Sequence, residues 1–274
     1  MIAVEDIRIM AIGAHPDDCE LKAGGCAALW AECGYRVLFV SMTNGHTGHY
    51  AMGGGPLARR RRDEAAAAAA VIGIESRVVD INNGELMPDL YTRKLLIAMI
   101  REFSPDLILT HRPNDYHPDH RYTSQLVQDC SYQINVPHFV PLTPAPMKRC
   151  VIMYFSDNFK KPVPFTPDIA VDITPVVDKK IAMVACHESQ VYEWLPWADG
   201  NLSDVPKDAA ERYAWLTDKQ RQRYRREADL CREKLVQIYG EKGGTCEFAE
   251  SFEVCEYGAR LTEEAKKRLF PFVP

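Results

Sequence analysis

The chain has 274 residues, 46% hydrophobic and 26% charged, with a net charge of −5. This is ample apolar material for a large α/β core, and the acid excess argues against nucleic acid or an anionic membrane surface as partner. No run approaches the roughly 18 apolar residues of a membrane span. The opening "MIAVEDIRIM" carries Glu5 and Asp6 and has no basic region ahead of its apolar stretch, so it does not read as a signal peptide.

In chain order, "IRIMAIG" (7–13) predicts a buried strand, and "CELKAGGCAALWAECG" (19–34) a helix ended by Gly34. A second strand follows at 35–43, then the alanine-rich helix "LARRRRDEAAAAAAVIG" closed by Gly73. Its four arginines, 59–62, read as a solvated first turn with one facing inward. A strand at 76–81, a helix at 89–103, a strand at 106–111 and a helix at 118–133 complete the regular part. This alternation predicts an α/β fold: a Rossmann-like, mostly parallel sheet with helices on both faces, in three α/β/α layers. Beyond residue 134 the pattern loosens into a proline-rich loop, strands at 151–155 and 169–173, a helix at 174–190 with Thr174 as its cap, and a late strand at 247–256. Residues 1–274 read as one domain, with a charged helical elaboration at about 191–240 carrying Trp194, Trp197 and Trp215. That segment reads as a lid, a homo-oligomer interface or an outer helical pair. Its tryptophans read first as packing and second as a stacking surface for a sugar ring.

The nine cysteines form no CxxC pair, and several sit within apolar periods. They predict buried free thiols in a reducing compartment, with cytoplasm the default, and not a disulfide framework.

In a doubly wound sheet, ligands bind outside the carboxyl ends of the strands. Three polar loops fall there: "HPDDCE" (15–20), "TNGHTGH" (43–49) and "HRPNDYHPDH" (111–120). The first lacks the GxGxxG turn of a dinucleotide site, and its acids would repel phosphate. Uncompensated carboxylates at a sheet edge are costly, so something should neutralise them. His15, Asp18 and His120 would offer two nitrogens and one oxygen to a metal and leave positions open for water. Adjacent side chains project differently, so one aspartate ligates while the second stays clear of the metal as a general base. His117, stacked near His120 at a helix start, would act on the other side of a substrate carbonyl, its ring held by Asp119 or Asp115. No GxSxG elbow is present, and Cys19 has no oxyanion loop, which disfavours a serine or cysteine hydrolase.

"AHPDDCE" (14–20) and "HPDH" (117–120), with "TNG" (43–45), "RRDEAAAAAAVIG" (61–73) and "HESQ" (187–190), resemble the PIG-L/LmbE-like family of zinc-dependent N-deacetylases. The resemblance implies a small-molecule amide substrate, usually an N-acetylated amino sugar or its conjugate, hydrolysed by metal-activated water. It implies Zn²⁺ on His15, Asp18 and His120, with Fe²⁺ suited to the same set. It assigns Asp17 as base, His117 as electrophilic or acid partner and Asp119 as its orienting carboxylate. Arg61, with Arg60 as the alternative, is expected to contact substrate or the site carboxylates, and Asn44, His49 and His187 are further candidate substrate contacts. His46 and His49 stand where many family members place an acid. Alternatives are an amidase for another small amide or thiol conjugate, and a non-catalytic metal-stabilised sugar-binding protein.

Overall fold

A computed structural model describes residues 6–274; the reading of residues 1–5 as free of a leader lies outside them. Seven strands form one sheet in the order β3-β2-β1-β4-β5-β7-β6. They are β1 (Arg8–Gly13), β2 (Arg36–Ser41), β3 (Glu75–Val78), β4 (Leu107–Thr110), β5 (Val151–Phe155), β6 (Ile169–Asp172) and β7 (Ala249–Val254). The first five run parallel. β7 inserts antiparallel between β5 and β6, an order the linear pattern did not give.

Side-chain alternation explains why the central strands read as unbroken apolar runs. Ile9, Ala11, Val37 and Leu109 face one layer with α1 (Asp18–Glu32), α2 (Gly54–Ile72) and α5 (Val177–Ala185). Met10, Ile12, Val40 and Ile108 face the other, with α3 (Leu90–Phe103) and α4 (Pro118–Gln133). The predicted three-layer α/β/α arrangement is the observed one. Because helices change face between the β1–β2–β3 side and the β4 side, β1 and β4 flank the switch point, where a crevice opens.

The helix expected over 174–190 is interrupted. α5 stops at Ala185, and a wide π-helical turn occupies Ser189–Trp194 before the short α6 (Leu195–Ala198). Thr174 is not a side-chain cap; its amide donates to Asp172 Oδ1 at 2.9 Å. The charged segment forms the long α7 (Ala209–Leu230) and α8 (Arg232–Tyr239), broken at Cys231. A short α9 (Glu241–Thr245) and α10 (Glu263–Leu269) complete the chain. Among the described residues, no helix is long and apolar enough to cross a membrane. All nine cysteines are free and most are buried; burial pushes the Cys150 thiol up to about 12.

Gly24 and Gly25 have a packing role. A Cβ on Gly25 would stand 2.8 Å from Ile173 Cγ2, and one on Gly24 would meet Lys180 Cγ at 3.2 Å. This close approach lets Glu250 accept from the Gly25 and Cys26 amides at 2.8 Å each. Lys180, fully buried, balances that carboxylate at 2.7 Å and lies over the Tyr224 ring. Lys180→Met strands a buried carboxylate, so we expect about 3–5 kcal/mol of lost stability, read by denaturant unfolding. A loss under about 1 kcal/mol, the range of an exposed pair, would refute this role.

Candidate active site

Immediately after β1 the backbone turns sharply into α1. Asp17 occupies the position before the helix with φ 148° and ψ −22°, and its side chain makes no capping bond. Such a conformation costs about 1–3 kcal/mol and persists only when its surroundings impose it. Here Asp18 Oδ2 accepts from the amides of Ala14 at 2.9 Å and His15 at 2.7 Å, folding the loop back on the helix. Arg61, the single inward member of the four arginines, donates to the Pro16 carbonyl at 2.9 Å and lies 3.3 Å from Asp17 Oδ1. Asp17 is thereby aimed away from a cap and into the crevice.

Three donors converge beside it. His15 Nδ1 lies 3.1 Å from His120 Nε2, and each is 3.5 Å from Asp18 Oδ2. Ligands on a tetrahedral metal with 2.0–2.1 Å bonds are separated by about 3.3 Å. Two ring nitrogens this close need a proton or a cation between them. His15, Asp18 and His120 thus form a group that could hold a metal ion. Their outer contacts fit the same function: Asp119 Oδ2 is 3.3 Å from His15 Nε2, and Asp115 Oδ1 is 3.0 Å from His120 Nδ1. Carboxylates behind ligating imidazoles fix ring orientation and raise basicity.

The electrostatics separate the two aspartates. Burial and the charge of Asp18 push the Asp17 carboxyl up, against the pull of Arg61. Asp18 is equally buried, yet His120 and His111 hold it well below the usual carboxylate range. One is set as an anion for a cation, the other as a proton acceptor. Burial lowers the His15 imidazole, but Asp119 and Asp18 outweigh it and set it at about 9.

His111 was not singled out from the sequence, although it opens the third loop. It is buried, 3.2 Å from Asp18 Oδ2, and stacks on His120 with centroids 4.1 Å apart. Burial and His120 lower it to about 4, so it is neutral and accepts from the Ala14 amide at 3.1 Å. With Asp115 and His120 it makes a second metal-competent group.

The pairing expected for Asp119 is corrected. Its carboxylate serves His15 and accepts from the Gly84 amide at 2.6 Å, whereas His117 Nδ1 is 4.0 Å away. The reason is local: His117 caps α4, its Nδ1 accepting from the Asp119 amide at 3.1 Å. The ring proton then sits on Nε2. Burial, His15 and His120 lower the His117 pKa, which favours a neutral hydrogen-bond donor at this position.

His15, Asp17, Asp18, Arg61, His117 and His120 line one cavity of about 670 Å³. Asn44, His49 and His187 are not among its lining residues. Asn44 binds Asp80 at 3.0 Å and accepts from the His46 amide at 3.1 Å. His49 is held by Glu193 at 2.8 Å, and fully buried His187 lies 3.3 Å from Glu20.

Gly45 has φ +69°, and a Cβ there would collide with the Arg61 guanidinium. Gly45→Ala therefore costs about 1–2 kcal/mol in backbone strain alone and displaces Arg61 from Asp17. We expect a lower melting temperature together with reduced turnover; a variant matching the parent in both would show that Arg61 needs no such cradle.

The crevice, the strained aspartate and the His/His/Asp group define an α/β protein built around a water-accessible metal-competent site. Residues 10–131 match the family model described as PIG-L: GlcNAc-PI de-N-acetylase. The match takes in both histidine motifs. It is 28% identical over 224 residues to diacetylchitobiose deacetylase of Thermococcus kodakarensis, covering 76% of this chain and 80% of that protein. It is 29% identical over 196 residues to 4-oxalmesaconate hydratase of Pseudomonas putida, covering 68% of this chain and 74% of that protein. The solved N,N'-diacetylchitobiose deacetylase of Pyrococcus horikoshii, in complex with an inhibitor, shares the fold with a TM-score of 0.68 at 23% identity, over 93% of this chain and 88% of that one.

Proposed function

We propose that this chain is a metal-dependent N-deacetylase that removes an acetyl or similar small acyl group from an amino sugar or its conjugate. The observation that carries the reading is the division of labour between adjacent aspartates: Asp18 among three histidines, and Asp17 outside that group with a raised pKa in the same cavity. A mere metal-binding protein needs no such second carboxylate. The PIG-L match and the Thermococcus relative support the reaction class.

A divalent cation held by His15, Asp18 and His120 would supply Lewis-acid polarisation of water and of the amide carbonyl. We favour zinc, and Fe²⁺ suits the same donors. Asp17 accepts the proton from the attacking water. His117 donates its Nε2–H to the carbonyl oxygen as negative charge gathers there. Asp17 then returns its proton to the amide nitrogen, the C–N bond breaks, and free amine and carboxylate leave. A neutral His117 has no proton to spare for that last step, so one carboxylate serves both as base and as acid. Arg61 keeps Asp17 in place throughout.

The Pseudomonas relative favours a second reading, addition of water to a carbon–carbon double bond by the same base and donor. The experiment is acetate release from N-acetylglucosamine and its conjugates by chelator-stripped protein, with and without Zn²⁺. Zinc-dependent release supports the deacetylase. Hydration of an unsaturated carboxylate without acetate release overturns it in favour of the second reading. The free thiols suit a reducing, cytoplasmic setting.

A further inference from the structure

The family match ends at residue 131, yet the same cavity is also lined by Gln190, Trp194, Leu195 and Ala198. These residues lie on the π-helical turn and α6. π-helical turns are rare and frequent at functional sites.

Four rings stack in series from the second loop into this segment. His49 lies on Tyr50 (centroids 4.7 Å, 17°), Tyr50 on Trp197 (5.4 Å, 15°), and Trp197 on Trp194 (5.2 Å, 22°). Trp194 ends the series at the cavity. The arrangement is anchored at several points. Glu193 binds His49 at 2.8 Å and Arg60 at 2.5 Å. Glu64 accepts from the Ser189 amide at 2.9 Å and hydroxyl at 2.6 Å. Gln190 donates to the Gly48 carbonyl at 3.0 Å, and Gly48 packs against Arg61. Trp194 is therefore one helical turn from a residue in contact with the Arg61 cradle, and Arg61 touches Asp17. Tyr50 and Trp197 remain 42% and 47% exposed although stacked, so the rings are not held together as core.

We propose that Trp194 is a stacking platform for a flat apolar ring face on the part of the substrate beyond the reacting amide. The natural substrate is then a conjugate in which a second ring follows the N-acyl amino sugar. The ring is either the C–H face of a pyranose or an aromatic aglycone. This rests on the deacetylase reading and adds the size and shape of what is deacetylated.

The test is binding, independent of turnover, in the Asp17→Asn variant loaded with Zn²⁺. Affinities are measured by calorimetry for N-acetylglucosamine, its β-1,4-linked N-acetylated disaccharide and its β-phenyl glycoside. We expect the two-ring ligands to bind about tenfold tighter than the monosaccharide, with quenching of tryptophan fluorescence. The preferred two-ring ligand names the source of the ring. In Trp194→Ala that ratio falls to near one, and Trp194→Phe restores most of it, which a loss of folding would not do. Equal affinities for one-ring and two-ring ligands, a ratio unmoved in Trp194→Ala, or no sugar binding at all overturns the proposal. Tight two-ring binding by the variant, without acetate release by the parent enzyme, leaves the platform standing and removes the deacetylase reading alone.

Discussion

Asp17→Asn is expected to lower kcat by about 10²–10⁴-fold, the range for loss of a general acid–base group, with metal content unchanged. The substitution is chosen because asparagine nearly preserves shape. It keeps an oxygen for Arg61, 3.3 Å away in the parent, and the same branching at Cγ, so it places no new demand on the backbone at φ 148°. What it removes is the capacity to take a proton. Two measurements give the answer, kcat on an N-acetylated sugar and metal per chain by elemental analysis. A kcat close to the parent's would remove Asp17 as the base. Loss of metal together with kcat would instead make Asp17 a ligand and require the two adjacent carboxylates to share a cation.

This distinction between neighbours shows what the sequence could and could not convey. The position of "HPDD" after an apolar run, and of "HPDH" after another, gives both loops to one sheet edge, because parallel strands must present their carboxyl ends together. β1 and β4 are neighbours, paired from Ile9 with Leu107 to Ile12 with Thr110, and convergence follows. Burial of one arginine in four was also legible, since a helix has only one inward face. Which partner each polar atom takes was not. Asp119 sits two residues after His117, and pairing them by proximity was natural. The helix start decided otherwise, since a free amide at Asp119 captured His117 Nδ1 and left the carboxylate to reach His15.

His111 was overlooked because a histidine closing a buried strand has no periodic or spacing signal of its own. Its significance arises only when α4 brings His120 to stack on it. His49 and His187 were attractive for their chemistry alone. In the fold, each is consumed by a carboxylate from a distant segment, Glu193 and Glu20 respectively. The insertion of β7 beside β5 is likewise a long-range pairing, and strand propensity carries no information about which edge a late strand joins.

His120→Ala is expected to abolish stable metal binding and, with it, turnover. His120 is shared by two of the three groups that could hold an ion, His15/Asp18/His120 and His111/Asp115/His120; the third, His15/His117/Asp119, lacks it. Its loss alone therefore tests the first two groups together without separating them. Outer-shell carboxylates typically contribute about 10–100-fold to metal affinity, whereas a ligand is indispensable. Asp115 lies 3.0 Å from His120 Nδ1, so if it stands behind the ligand, Asp115→Asn weakens zinc binding by about 10–100-fold without eliminating it. Under the same assignment His15→Ala leaves no stoichiometric metal after dialysis. Competition against a chelating dye gives the affinities of the parent and the three variants. Retained metal in His120→Ala would exclude both groups that contain it and leave His15/His117/Asp119. Abolition in Asp115→Asn with near-parent affinity in His15→Ala would move the ion to the His111 side of His120. It would then no longer sit between His15 and Asp18, and the role given to Asp17 would lose its basis.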